Sequence, residues 1–157
     1  MKSIIYTRPD GGLSICHPMI SRDDPEDFSE EDALQRALQK DVPPDAVNPT
    51  IIDRDQIPQD RTFRDAWRHV GEEIRHDMDR CRDIHRDRMR SARLPRLAAL
   101  DVEYQRAEEA GDMARKRDIA AEKQVLRDVT KLPELDSTKS PDDLKAVWPQ
   151  DILGPAD

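Results

Sequence analysis

Hydrophobic and polar residues alternate near the start of the chain, which is the pattern of half-buried strands. Residues 3–6 read Ser-Ile-Ile-Tyr and residues 13–16 read Leu-Ser-Ile-Cys. Between them, residues 8–12 read Arg-Pro-Asp-Gly-Gly, in which proline presets a turn and the glycines tolerate positive φ. The pattern predicts a β-hairpin here and a third strand over residues 50–53.

A first helix is predicted after Ser29, which is a good N-cap followed by three acidic residues at 30–32. Its apolar stripe consists of Ala33, Leu34, Ala37 and Leu38. The helix should stop before residues 42–44, Val-Pro-Pro, because the residue before a proline disfavours helical geometry.

From residue 60 onward the apolar spacing becomes helical. Phe63, Ala66, Trp67 and Val70 stand at intervals of 0, 3, 4 and 7, and further apolar residues step by threes and fours from Ile74 to Leu94. This spacing predicts a long arginine-rich helix over 60–94, which Gly71 would kink or break. Pro95 would mark either a helix break or the first turn of a new helix.

The remaining chain predicts two antiparallel helices at 96–110 and 113–129, joined by a short turn at Gly111. Residues 131–157 contain four prolines and should be mostly irregular, with one short helix at 141–147. The fold class is therefore α+β, mainly α. Its regions are an acidic β-containing part (1–59), the long helix (60–94), a helical hairpin (95–130) and a tail (131–157).

Composition narrows the class of protein. The chain has 157 residues, of which 38% are charged and 36% hydrophobic, with a net charge of −8. No apolar run is long enough to cross a membrane, and two cysteines do not make a disulfide framework. The first residues do not form a signal peptide, so we expect a reducing cytoplasm or a particle assembled there. A large compact enzyme core is not expected at a mean hydropathy of −0.90.

The charge is unevenly distributed along the chain. Residues 1–60 carry thirteen acidic and six basic residues, whereas residues 80–96 carry seven arginines and two aspartates. Such an arginine helix could bind phosphates, which keeps a nucleic-acid-binding regulator as an alternative function. No aromatic residue interleaves the run, and the chain as a whole is acidic, so an acidic protein surface is the favoured partner.

Candidate chemistry is sparse. Asp77, Cys81 and His85 share one predicted helical face, and these residue types can bind zinc. The competing interpretation is that Cys81 belongs to the apolar stripe and His85 flanks it, so no metal site is assigned. The sequence has no nucleophile elbow, dinucleotide fingerprint or phosphate loop, and we predict no catalytic residues and no cofactor.

Partner binding is predicted for the arginines and tryptophans that could serve as interface anchors. For Trp67 and Trp148, the alternative is that both fill the small core. The predicted partner-binding residues are Trp67, Arg82, Arg86, Arg90, Arg93, Arg127 and Trp148.

Three segments together resemble the C-terminal region of bacteriophage tail assembly chaperones and tail-fibre assembly proteins. They are Leu-Ala-Ala-Leu-Asp at 97–101, Lys-Gln-Val-Leu-Arg-Asp-Val at 123–129 and Val-Trp-Pro at 147–149. The family pattern closes its helix with Leu-Arg-Asp-Ile-Pro, whereas this chain continues Val-Thr-Lys-Leu-Pro at 129–133. The resemblance covers about residues 95–150, and residues 1–70 look only broadly like other small phage proteins.

The resemblance implies a non-enzymatic tail protein that acts in tail or tail-fibre assembly or stays in the virion as a structural component. It implies docking to other tail or fibre proteins, in several copies or as a homo-oligomer. The family offers no catalytic residues to carry over. Neither a membrane nor nucleic acid is an expected partner.

Overall fold

A computed structural model describes residues 1–156, and their contacts divide the chain into two compact units. Unit 1 is Met1–Asp77, and unit 2 begins at Met78. The strands and helices are β1 (Lys2–Thr7), β2 (Leu13–Cys16), α1 (Glu30–Lys40), β3 (Val47–Asp53), β4 (Trp67–Val70), β5 (Glu73–His76), α2 (Met78–Glu109), α3 (Met113–Asp128), α4 (Pro133–Ser137), α5 (Pro141–Ala146) and α6 (Gln150–Leu153). Helices make up 53% of the chain and strands 16%, so the fold is α+β and mainly α.

Unit 1 is built on an antiparallel sheet with strand order β2-β1-β3, which confirms the predicted hairpin and third strand. The hairpin turn is closed by a hydrogen bond from Arg8 N to Gly12 O, 2.8 Å long. Gly11 has a φ of +79°, which a glycine adopts without steric cost. The turn chemistry visible in the sequence therefore sets the register of the first two strands.

Helix α1 begins as its sequence predicts. Ser29 Oγ accepts a hydrogen bond from Asp32 N, and the Asp32 carboxylate accepts one from Ser29 N, which together form a capping box. The helix ends at Lys40, before the two prolines. Its inner face buries Leu34 and Ala37 against Ile4 of β1.

The two faces of the sheet are covered by different elements because successive strand residues point to opposite sides. Ile4 faces α1, whereas Ile5 packs with Ile52, Ile57 and Trp67 on the other face. Both isoleucines of β1 are completely buried. The central strand thus carries two small apolar clusters.

The helix predicted over residues 60–77 is wrong. This segment contains a short 3₁₀ turn at Arg64–Ala66 and then the antiparallel β4–β5 hairpin, in which Trp67 pairs with His76 and Val70 with Glu73. Phe63, Ala66 and Trp67 are buried, but Val70 is 45% exposed, so the helical spacing was coincidental. Gly71 opens the two-residue turn with a φ of +64°, a conformation that ends one strand and starts the next.

Unit 2 begins with α2, a single helix of 32 residues that passes through Pro95. The helix therefore starts at Met78 rather than at residue 60, and the predicted break at Pro95 does not occur. Ser91 and Pro95 both lie on the exposed face of the helix. Water can therefore reach the Ser91 carbonyl, which loses its usual helical donor because proline has no N–H.

Helix α2 turns back into α3 at Gly111, whose φ is +68°. Asp112 caps α3 by accepting a hydrogen bond from Arg115 N. Leu100 and Ala107 of α2 and Ile119 and Leu126 of α3 are buried. The antiparallel helical hairpin is confirmed, although its first helix is the second half of the longer α2.

The C-terminal region is more ordered than the mostly irregular tail that its prolines suggest. The predicted short helix is present as α5, capped by Ser140, but α4 and α6 flank it. Each short helix buries one leucine, and these are Leu135, Leu144 and Leu153. Proline at the first turn of α4 and α5 starts these helices rather than preventing them.

None of the helices within residues 1–156 is long and apolar enough to cross a membrane.

Candidate functional site

Arg82, the first of the predicted partner-binding arginines, contacts its own chain. Its guanidinium donates hydrogen bonds to the carbonyl oxygens of Leu135 (3.1 Å) and Thr138 (2.6 Å) and to Asp79 Oδ1 (2.7 Å). These carbonyls lie at the C-terminal end of α4, where no further N–H group of the helix is available to donate to them. Only 16% of the side chain is exposed, and its guanidinium holds the end of α4 against α2.

Arg86 and Arg93 do the same at the end of α3. Arg86 donates to Thr130 O (3.2 Å) and Asp136 Oδ1 (2.5 Å), and Arg93 donates to the carbonyl oxygens of Leu126 (3.4 Å) and Arg127 (2.9 Å). A cation near the negative end of a helix dipole is stabilising. Three arginines of this part of α2 therefore make contacts inside the molecule.

Two predicted arginines stay on the surface. Arg90 is half exposed and pairs with Asp87 at 2.6 Å, a separation of three positions on the same helix. The Arg127 side chain is exposed, while its carbonyl accepts from Arg93. These two side chains remain accessible to a partner.

The two tryptophans occupy different environments. Trp67 is 2% exposed, packs among the apolar residues of unit 1 and donates from Nε1 to His76 Nε2 at 3.0 Å. Trp148 is partly buried and donates from Nε1 to Gly154 O at 2.8 Å. Both serve the fold, Trp67 as core and Trp148 as an anchor for the C-terminal helices.

The residues considered for zinc have different environments. Cys81 and His85 are buried in unit 2, and His85 Nε2 lies 2.9 Å from Val147 O with its ring against Trp148 at 5.6 Å. Burial lowers the pKa of His85 despite the hydrogen bond to Val147 O, which favours the charged ring. Asp77 pairs with Arg68 at 3.4 Å. Across residues 1–156, no three histidine, cysteine or acidic side chains are grouped as metal ligands would be.

A groove of about 410 Å³ lies on unit 2 between α2, α3 and α6. Its apolar lining consists of Ala99, Leu100, Val125, Leu126 and Ile152, and its charged lining of Arg96, Glu122 and Asp151. Val125 is 51% exposed, so its side chain is accessible within the apolar lining. The groove can hold an apolar side chain while the charged residues around it contact polar groups.

Arg96, a charged residue of this groove, lies close to the backbone at the C-terminal end of α6. Gly154 has a φ of +82°, and a Cβ built there would lie 2.8 Å from Arg96 Nη2. A side chain at this position would therefore displace the guanidinium. The sequence motifs at 97–101 and 123–129 each contribute residues to the lining, but Ile152 joins them only through the fold.

Sequence reasoning missed this groove because its residues come from three elements that are distant in the chain. The only local signal was Val125 beside Leu126 in α3, because adjacent positions lie about 100° apart around a helix and one of two such residues can be left outside the core.

Comparison of the chain with protein-family models, with curated proteins and with solved structures finds no match.

Proposed function

We propose that this chain is a non-enzymatic bacteriophage tail protein that docks other proteins during assembly of the tail or its fibres. It acts during assembly or remains in the particle as a small structural component. The resemblance of residues 95–150 to tail assembly chaperones and tail-fibre assembly proteins supports the class. Its partners are other tail or fibre proteins, and several copies act together in the virion tail or, during assembly, in the host cytoplasm.

The observation that carries the proposal is the contrast between the arginines and the groove of unit 2. Arg82, Arg86 and Arg93 donate to carbonyls of their own chain, whereas Val125 is left half exposed in an apolar lining. Guanidinium groups already bound to carbonyls have fewer donors left for phosphates. An exposed aliphatic groove is instead typical of a protein interaction site.

The proposed occupant of the groove is a segment of a tail or fibre protein that presents an apolar side chain. Arg96, Glu122 and Asp151 in the lining offer both signs of charge to the polar groups that flank such a side chain. Polar residues around an apolar centre fix the register of an interface more than they raise its affinity.

The experiment is co-isolation of tail and fibre proteins with the tagged chain from cells assembling particles. Val125→Asp places a charge in the groove and should abolish co-isolation, since burying an unpaired carboxylate is costly. Val102→Asp is the matched control, because Val102 is 50% exposed on α2 and is not among the groove residues. Equal recovery of tail proteins with both variants would contradict the proposal.

The alternative function is tested on the same material by titrating labelled duplex DNA. A nucleic-acid-binding regulator would bind DNA with an affinity that falls steeply as salt rises. It would lose affinity when Arg90 and Arg127 are changed to glutamate. Binding of that kind, without recovery of tail proteins, would replace the docking proposal.

A further inference from the structure

One end of the unit 1 sheet carries polar side chains that neither the core nor the hairpin turn requires. β1 begins there, and β2 and β3 end there, because both pair antiparallel with β1. Arg54 Nε donates to Ser3 Oγ at 3.2 Å, and Ser3 Oγ lies 2.8 Å from His17 Nδ1. Ser3 is completely buried, so this chain of hydrogen bonds is fixed by the sheet.

The direction of these hydrogen bonds follows from the groups involved. The Arg54 guanidinium can only donate, so Ser3 Oγ accepts from it and has its own proton for His17 Nδ1. Burial lowers the pKa of His17, and the positive charges of Arg54, Arg61 and Arg64 lower this pKa further. The lowered pKa favours the neutral ring. In the tautomer that accepts the Ser3 hydroxyl proton at Nδ1, the other ring nitrogen, Nε2, is the N–H donor.

The charged residues around His17 are positive, whereas residues 1–60 as a whole carry an excess of negative charge. Arg61 and Arg64 are exposed on the segment between β3 and β4, and their charges reach His17. Within residues 1–156 neither of them, nor Arg54, forms a salt bridge, whereas residues 1–60 have an excess of seven acidic residues. Positive side chains without carboxylate partners, around a fixed N–H donor, form a surface suited to an oxyanion.

An apolar groove adjoins the cationic group and shares Arg54 with it. The groove has a volume of about 360 Å³, and its lining includes Pro18, Met19, Ile20 and Ala33 together with the charged residues Glu30 and Arg54. Arg54 Nη2 donates to Pro18 O at 3.4 Å, which holds the guanidinium between the groove and His17. Met19 is 76% exposed and Ile20 is 53% exposed, and flexible methionines adapt to varied apolar side chains.

We propose that this sheet end binds an acidic protein segment, with an apolar side chain in the groove and a neighbouring carboxylate on His17, Arg54, Arg61 and Arg64. Charge complementarity selects this occupant. A purely apolar segment would leave the positive charge of the arginines uncompensated, and a phosphate backbone would leave the groove empty. The site extends the proposed docking function to unit 1 and rests on it only in assuming that the partner is a protein.

The test is selection of peptides from a random displayed library on the full-length protein. The enriched peptides should combine aspartate or glutamate with a nearby aliphatic or aromatic residue. With one such peptide, Arg61→Glu/Arg64→Glu should weaken binding about tenfold or more, since reversing charge at a complementary interface adds repulsion. Met19→Asp should weaken binding as well, by placing a charge beside the groove.

Lys40→Glu/Arg75→Glu is the matched control. It makes the same change in net charge at two exposed positions of unit 1 that belong to neither the groove nor the arginine group. Binding should be retained within about twofold at physiological salt, because neither side chain lines the groove or lowers the pKa of His17. Circular dichroism of each variant verifies that it is folded.

Three results would overturn the inference. They are no enrichment, enriched peptides without acidic residues, and equal binding by the Arg61/Arg64 variant and its control. Competition by single-stranded DNA in preference to the peptide would also overturn it and assign the cationic group to phosphates. None of these results affects the groove of unit 2, whose own test uses Val125, so failure of this site and of the proposed function are distinguishable.

Discussion

Single arginine side chains satisfy the carbonyl groups that helix ends leave without helical partners. Arg82 serves two carbonyls at the end of α4, and Arg93 serves two at the end of α3. The guanidinium group is suited to this role because it carries five donors in one plane. Some of the arginines that look like a binding surface in the sequence therefore stabilise the fold through hydrogen bonds within the chain.

Replacing Arg82 should reveal this role in stability. Arg82→Ala leaves Leu135 O and Thr138 O without the guanidinium donor, and hydrogen bonds involving a charged group contribute about 1.5–3 kcal/mol each. We expect the free energy of unfolding to fall by about 2 kcal/mol or more in urea titrations.

Arg90→Ala is the matched control for that substitution, because Arg90 has only an exposed pair with Asp87. Its effect should stay within about 0.5 kcal/mol. Equal losses for the two variants would show that the inward contacts of Arg82 contribute nothing.

His85 gives unit 2 a pH dependence whose sign follows from its burial. Burial lowers the pKa of His85 in the folded chain, so the unfolded chain binds more protons once the pH falls below about 6.5. Stability should therefore be constant above that pH and should fall as the pH drops through the unfolded value toward the lower folded one. Urea midpoints followed by far-ultraviolet circular dichroism between about pH 7.5 and 5.5 measure it.

His85→Gln should flatten this dependence, because glutamine does not titrate. His17→Gln is the control, since the pKa of His17 is also lowered but the residue lies in unit 1. The account is contradicted if the slope of the helical signal is unchanged by His85→Gln.

At the scale of elements, the fold depends on which residues start and stop each strand and helix. Where a turn signal is local, as at residues 8–12 or at Ser29, the sequence predicts the element correctly. Over residues 60–77, four apolar residues matched helical spacing by coincidence, and β4 and β5 form instead. Pairing between strands depends on partners that periodicity cannot identify.

The sign of the stability change caused by Gly71→Ala distinguishes the β4–β5 hairpin from a helix at this position. In the β4–β5 turn, Gly71 has a φ of +64°, so Gly71→Ala should cost about 1–2 kcal/mol by backbone strain alone, since a Cβ there meets no atom within 4 Å. In a helix, the same substitution would stabilise by about 1 kcal/mol. Thermal unfolding of the variant measures the sign, and Gly71→Asn should be milder because asparagine tolerates positive φ.

Pro95 provides the corresponding test for α2. Because the helix continues through Pro95, Pro95→Ala restores a helical N–H and should raise the free energy of unfolding by about 1–3 kcal/mol. Ala98→Pro, one turn further along the same exposed face, should lower it by about 3 kcal/mol. If Pro95→Ala gave no gain in helical circular dichroism or stability, α2 would be two helices rather than one.

At the scale of the whole molecule, the sequence predicts the fold class and the helical hairpin, but little of the candidate sites. The first hairpin and the capped helices follow from local signals. The groove of unit 2 needs Ala99, Val125 and Ile152 to meet, and the sheet-end group needs Ser3, His17 and Arg54 to meet. No local sequence pattern predicts such contacts, because they depend on how separate elements pack together.

The inward role of Arg82, Arg86 and Arg93 could not be read from the sequence for a related reason. Their acceptors are backbone carbonyls of the region from Leu126 to Thr138, and every residue type carries such a carbonyl. The charge count alone therefore predicts a surface feature where the structure has internal contacts. His85 is a second case in which residue type alone does not predict burial. It is buried on the same face of α2 as Cys81 and Met89, although histidine is polar.

The most direct test of the docking account is quantitative mass spectrometry of purified particles and of tail and fibre precursors, with a photo-crosslinker at position 125. We predict that the chain is present at a fixed ratio to tail proteins in one of these fractions. Crosslinks from position 125 should join it to a tail or fibre protein, whereas a crosslinker at Val102 should not. Absence of the chain from both fractions, together with salt-sensitive binding to DNA, would contradict the account.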